Sequence, residues 1–125
     1  FLPRIVGIQQ ALEWVYSAEI LSAADALAGR LVKQVYPAEE LLPAAQALAH
    51  KIISNRSPVA IALARQMMYR NSAASHPRVA HEVDSLAMFY TSIEDGKEGV
   101  ASFLEKREPN YQSKASQMPD FYPWW

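Results

Sequence analysis

Along most of the chain the apolar residues recur at steps of three and four, the spacing that lines one side of an α-helix. In PAEELLPAAQALAHKIISN, residues 37–55, Leu41, Leu42, Ala45, Leu48, Ala49, Ile52 and Ile53 form one stripe, and an amphipathic helix is predicted. Ser57-Pro58 then supplies an N-cap followed by proline at the first helical position, where a missing N–H costs nothing. It opens a second helix, VAIALARQMMYRNSA. His76-Pro77 repeats the device, and Val79, Val83, Leu86, Tyr90 and Ile93 carry the helical period through a third. Asp95 and Glu98, three residues apart, have the form of a capping box for a short helix through Lys106, which Pro109 keeps from continuing.

The first third is less regular. LPRIVGIQQALEWVYS reads as two helical pieces broken near Gly7. Ser22 with Asp25 can cap the short run AADALA, which Gly29 ends. Leu31, Val32, Val35 and Tyr36 then depart from the helical period and suit one strand of about 4–5 residues. A lone strand leaves backbone donors and acceptors unpaired, so the segment either stays exposed or pairs with a sheet located elsewhere. That unpartnered strand, and a first residue that is Phe1 rather than Met, give the expectation of a single helical segment, residues 1–125, forming the C-terminal part of a larger fold.

Composition narrows the function classes. Half of the 125 residues are apolar, enough for a core. Twelve Lys and Arg against thirteen Asp and Glu, mixed along the chain, give a net charge of −1 and argue against bulk binding to nucleic acid or an anionic membrane. No apolar run approaches the roughly 20 residues of a bilayer span. The chain has no cysteine, which removes disulfides, thiolate metal sites and thiol nucleophiles and suits a reducing, cytoplasmic compartment.

The search for chemistry returns little. His76 and His81 lie five apart, about 140° around a helix, unlike the i, i+4 pair of a zinc helix, and His50 is remote, so no metal site is expected. Glu39-Glu40 and Glu94-Asp95 sit where first-turn carboxylates favour the helix dipole. No serine has a G-x-S-x-G setting and no glycines cluster into a phosphate-cradling loop. Met67, Met68 and Met88 suit core filling. The aromatic tail, residues 117–125, places Phe121, Tyr122, Trp124 and Trp125 on a proline-stiffened segment whose rings need a surface, either on this or a neighbouring subunit or lining a ligand pocket.

Four stretches in this order, FLPRIVG, SAADALAGRLVKQVYPAEELLPAAQALAHKI, SPVAIALARQMMYR and KEGVASFLEKREPNY, resemble the C-terminal half of the enoyl-CoA hydratase/isomerase, or crotonase, family. The resemblance implies a mainly α chain, the helical C-terminal portion of a crotonase-like α/β fold, with the catalytic half absent. In that family two backbone N–H groups stabilise the enolate of a coenzyme A thioester while acidic side chains move protons. No residue here matches those groups, so no catalytic residue is assigned. The resemblance also implies a homo-oligomer, trimer or hexamer, and an acyl-CoA thioester as substrate, with coenzyme A entering only as part of it and no separate cofactor. The helices would then cover the acyl pocket. It assigns coenzyme A contact to Phe103 and Lys106, an apolar plate beside a cation, three apart on one helical face. The competing reading of the same residues is a core phenylalanine and a lysine finishing a helix C-terminus. For the whole chain the alternative is a non-catalytic helical interaction module derived from the family.

Overall fold

The computed structural model describes residues 1–118; the rings expected to need a surface, Phe121 to Trp125, lie outside the described residues. Among the described residues seven helices succeed one another: α1 (Leu2–Val6), α2 (Ile8–Ser17), α3 (Ala23–Ala28), α4 (Ala38–Ile53), α5 (Pro58–Asn71), α6 (Pro77–Ile93) and α7 (Asp95–Glu105). The chain is mainly α, as its periodicity predicts. It divides into two compact units, Phe1–Leu48 and Ala49 onward.

Most helix starts are set by the residues that the sequence marks. Gly7, at φ 85°, breaks α1 from α2, a conformation that only glycine adopts freely. Ser22 Oγ accepts from the Asp25 N–H (3.1 Å) and donates to the Asp25 carboxylate (2.5 Å), closing α3 at its start. Ser57 Oγ accepts from the Ala60 N–H (3.1 Å) and His76 Nδ1 from the Arg78 N–H (3.1 Å), each followed by its proline. Such caps are each worth about 1 kcal/mol.

Two expectations change. No strand forms among the described residues; residues 31–37 make bends and then run without ladder partners. The reason lies one turn earlier. Arg30 adopts a left-handed conformation (φ 61°), and the N–H groups of Leu31 and Val32 turn back to the Ala26 carbonyl (2.8 and 3.3 Å) instead of facing a neighbouring strand. Gly29 ends α3 as expected, with φ −77°, and the left-handed position falls on the next residue, Arg30. Gly29 is needed for space: a Cβ there would meet the Trp14 ring at 2.4 Å. The second change is that Asp95 and Glu98 form no capping box. Neither carboxylate caps α7, because both are engaged by groups distant in sequence.

The two units differ in what they bury. In the first, Ala11 and Ala26 are the buried apolar residues; in the second, Val59, Leu63 and Ala87 are buried, with Met67, Val83, Tyr90 and Met118 packed around them. Here α5 packs on α6 and α6 on α7. The stripe of α4 is not covered: none of its residues is buried, and Leu41, Leu42, Leu48, Ile52 and Ile53 are all exposed. The expected amphipathic helix forms, but the described residues provide no cover for its apolar side.

Candidate functional site

The candidate site is the end of α7 and the chain that leaves it. Gly99 lets the return segment lie close, since a Cβ there would stand 3.3 Å from the Tyr111 hydroxyl. At the C-terminus Lys106 takes the left-handed conformation (φ 53°, ψ 41°). Its N–H donates to the Phe103 carbonyl (3.4 Å) and the Arg107 N–H to the Ser102 carbonyl (3.0 Å), the paired bonds of a Schellman turn. A lysine in this position lacks the ease of glycine, whose missing Cβ removes the clash that left-handed backbone imposes.

Phe103 is 81% exposed and so is no part of a core among the described residues. Lys106 is exposed and has no ion-pair partner among the described residues. Both are brought to the same helix end, but not as a shared helical face: Lys106 lies beyond the last helical residue, where spacing by three no longer fixes direction.

Arg107 behaves differently. Its Nη1 and Nη2 donate to the two carboxylate oxygens of Glu98 (2.5 and 2.9 Å), its Nε to Glu105 (2.6 Å), and Nη1 also to the Glu108 carbonyl (3.2 Å). This fork-to-carboxylate geometry is the strong form of the contact. Glu98 Oε1 accepts in addition from the Asn110 N–H (2.6 Å). The Arg107 guanidinium, and after it the Asn110 N–H, hold the Glu98 carboxyl down at about 2, well below its ordinary 4.5; the same ion pair, with Glu105, pushes Arg107 upward.

Two further acids continue the pattern. Asp95, buried in the first turn of α7, accepts from the Ser57 hydroxyl and from the Ser113 N–H (3.3 Å), and Glu94 accepts from the Ser113 hydroxyl (3.1 Å). Three acids of α7 and its cap therefore tie down the segment beyond the helix. Between α6 and α7, Met88, Thr91, Gly96, Val100 and Leu104 line an open groove of about 680 Å³. Among the described residues no three His, Asp or Glu side chains are grouped to hold a metal. No described helix is long and apolar enough to cross a membrane.

Sequence spacing puts Phe103 and Lys106 on one helical face, which the turn at Lys106 does not preserve, and it gives no sign of Glu98 as the group that organises the helix end. An acid and an arginine nine residues apart match no local rule, and the only signal available is the position of Glu98 on the helix that precedes the Pro109 turn.

Residues 1–114 match the enoyl-CoA hydratase/isomerase family. Enoyl-CoA hydratase AKT3-2 of Alternaria alternata is 39% identical over 115 residues, 90% of this chain and 38% of that protein. Crotonyl-CoA hydratase of Syntrophomonas wolfei is 33% identical over 90% of the chain and 43% of its own length. Among solved structures, enoyl-CoA hydratase of Bacillus anthracis superposes with a TM-score of 0.79 at 30% identity, covering 90% of this chain and 43% of that one. A probable enoyl-CoA hydratase/isomerase of Mycobacterium abscessus gives a TM-score of 0.74 at 27% identity, with 90% and 44% covered. The chain thus spans about two fifths of the length of these relatives. With a family match over nearly all of its length and the helical portion of a crotonase-like fold, the chain belongs to the enoyl-CoA hydratase/isomerase family.

Proposed function

We propose that this chain is the C-terminal part of an acyl-CoA hydratase/isomerase and that the end of α7 supplies part of its coenzyme A nucleotide site. Lys106 meets a phosphate and Phe103 lies against the adenine. Coenzyme A comes and goes with the acyl-CoA thioester substrate, and no other cofactor is needed. The oxyanion hole and the proton-moving carboxylates belong to the preceding half of the same protein, and the chain contributes no catalytic residue.

One observation carries this reading: of the two adjacent cations, Arg107 is neutralised by two carboxylates, while Lys106 stands exposed at the same helix end as an exposed phenylalanine, with no ion-pair partner among the described residues. A compact ammonium with free donors suits a phosphate, and a bare aromatic ring suits a purine. The uncovered stripe of α4, with exposed Phe89 and Met88 on α6, supports two further roles: contacts in a closed homo-oligomer, trimer or hexamer, and cover for the acyl pocket. The cytoplasm, a reducing compartment, suits the cysteine-free composition.

The test uses the full-length protein with crotonyl-CoA and crotonyl-pantetheine, which share the reacting end and differ in the nucleotide. Lys106→Ala should raise KM for the CoA thioester about fivefold, the scale of a partly screened charged contact of about 1 kcal/mol. The kcat/KM preference for CoA over pantetheine should fall by the same factor, because the contact is far from the reacting carbon. Equal losses on both substrates would make the helix end structural. Absence of any turnover with a range of acyl-CoA thioesters would favour a non-catalytic interaction module.

A further inference from the structure

We propose that Glu98 is a positioning residue for the nucleotide contact: by holding Arg107 and the Asn110 N–H it fixes the left-handed turn at which Lys106 is presented, and at the same time it removes Arg107 from competition for the phosphate. The inference rests on the reading of Lys106 as a coenzyme A contact.

Four residues other than glycine have positive φ among those described: Ala18, Arg30, Asn55 and Lys106. At Ala18 and Arg30 the turn is closed by backbone bonds alone. Both ion pairs among the described residues are made by Arg107, the residue directly after Lys106. The ion-paired bracket is therefore confined to the one left-handed turn whose own side chain is read as a ligand contact. Every edge of the guanidinium is used, on Glu98, Glu105 and the Glu108 carbonyl. Glu98 also fastens the chain again at Asn110, four residues beyond Lys106. A lysine stem is long and freely rotating, so what the protein controls is where its Cα sits and in which direction the backbone leaves it. The backbone bonds of the turn set the first, and Glu98, by holding Arg107 and the Asn110 N–H, sets the second.

The roles separate in the full-length protein with the same two thioesters. Glu98→Gln keeps the size of the side chain and removes its charge. It is expected to raise KM for crotonyl-CoA by a factor of about two to five, within the range of a screened charged contact, with a smaller change in kcat and no comparable loss on crotonyl-pantetheine. Arg107→Lys keeps the charge but loses the fork, and should shift the CoA preference in the same direction. In a Lys106→Ala background, Glu98→Gln should add no further loss of that preference, since it acts through Lys106.

Three results would overturn the inference while Lys106→Ala still lowers the CoA preference. Equal losses on both thioesters would show that Glu98 only supports folding. Full additivity with Lys106→Ala would show that it acts elsewhere. Tighter CoA binding by Glu98→Gln would show that a released Arg107 takes the phosphate. If Lys106→Ala itself leaves the preference unchanged, the nucleotide reading falls and the inference with it. The pantetheine reaction reports whether each variant has folded.

Discussion

The ends of α3 and α7 carry the same backbone turn, with a basic residue, Arg30 or Lys106, in the left-handed position and two N–H groups bonded back into the last helical turn. Beyond the turn the two ends part ways. After Arg30 the chain runs into bends and unladdered backbone, tied by little beyond the Tyr36 hydroxyl on Gln34. After Lys106 it is caught by Glu98, Asp95 and Glu94 in turn. The pair separates two jobs that a helix terminus combines. The backbone motif stops the helix, whereas side chains distant in sequence decide where the chain goes next.

The sharpest way to break this comparison is to remove a first-turn acid from each helix, one that holds the distant segment and one that holds only its own cap. Asp95→Ala leaves the Ser57 hydroxyl and the Ser113 N–H without their acceptor in a buried place, and should cost about 1–3 kcal/mol in urea unfolding. Asp25→Ala removes an exposed partner of Ser22, and should cost clearly less, within about 1 kcal/mol. Equal costs would mean that burial at Asp95 contributes nothing beyond a local cap.

A smaller effect with the opposite sign sharpens the shared part. Arg30→Gly relieves the left-handed clash at a cost in chain entropy, and a net stabilisation of about 0.5 kcal/mol is expected. Thermal unfolding checks it. Destabilisation would show that the Arg30 side chain holds something that the turn does not reveal.

The smallest effect concerns pH at the α7 end. The Glu98 carboxyl is held at about 2 against an ordinary 4.5. A group depressed in the folded state stabilises it fully above its unfolded value and loses that contribution as pH falls through the folded one. Stability from Glu98 is therefore complete above about pH 4.5 and is lost toward pH 2. Unfolding between those limits should depend less steeply on pH in Glu98→Gln than in the parent, and identical slopes would remove the bracket as a charged interaction.

These contrasts also mark what can be read in the sequence. Ser22, Ser57 and His76 announce their helices because a cap acts within three residues, and Gly7 announces a break because its conformation is nearly private to glycine. The strand expected at residues 31–36 does not form because β-propensity reports a fit to neighbours, and the described residues provide none. The acids of α7 escape a sequence reading for a related reason. Asp95 reaches Ser57, 38 residues back, and Ser113, 18 ahead, so a rule confined to one helix turn foresees neither partner. At the candidate site the residue types at positions 103 and 106 are legible. The left-handed backbone of Lys106 is not, because lysine has no marked preference for it.

The spacing of the anchors along the segment after α7 has a consequence for how it comes loose. Contacts fall at Arg107, Asn110 and Ser113, and Met118 then reaches the core of Val59, Leu63 and Ala87. Each pair of anchors closes only a very short loop. Loop-closure entropy grows with the logarithm of length, about 0.6 kcal/mol for a doubling. Releasing one anchor therefore lengthens a neighbouring loop by a few residues and costs little beyond the contact itself. Detachment is graded, one loop at a time, so a disturbance at Glu98 can loosen Lys106 while Ser113 and Met118 stay in place.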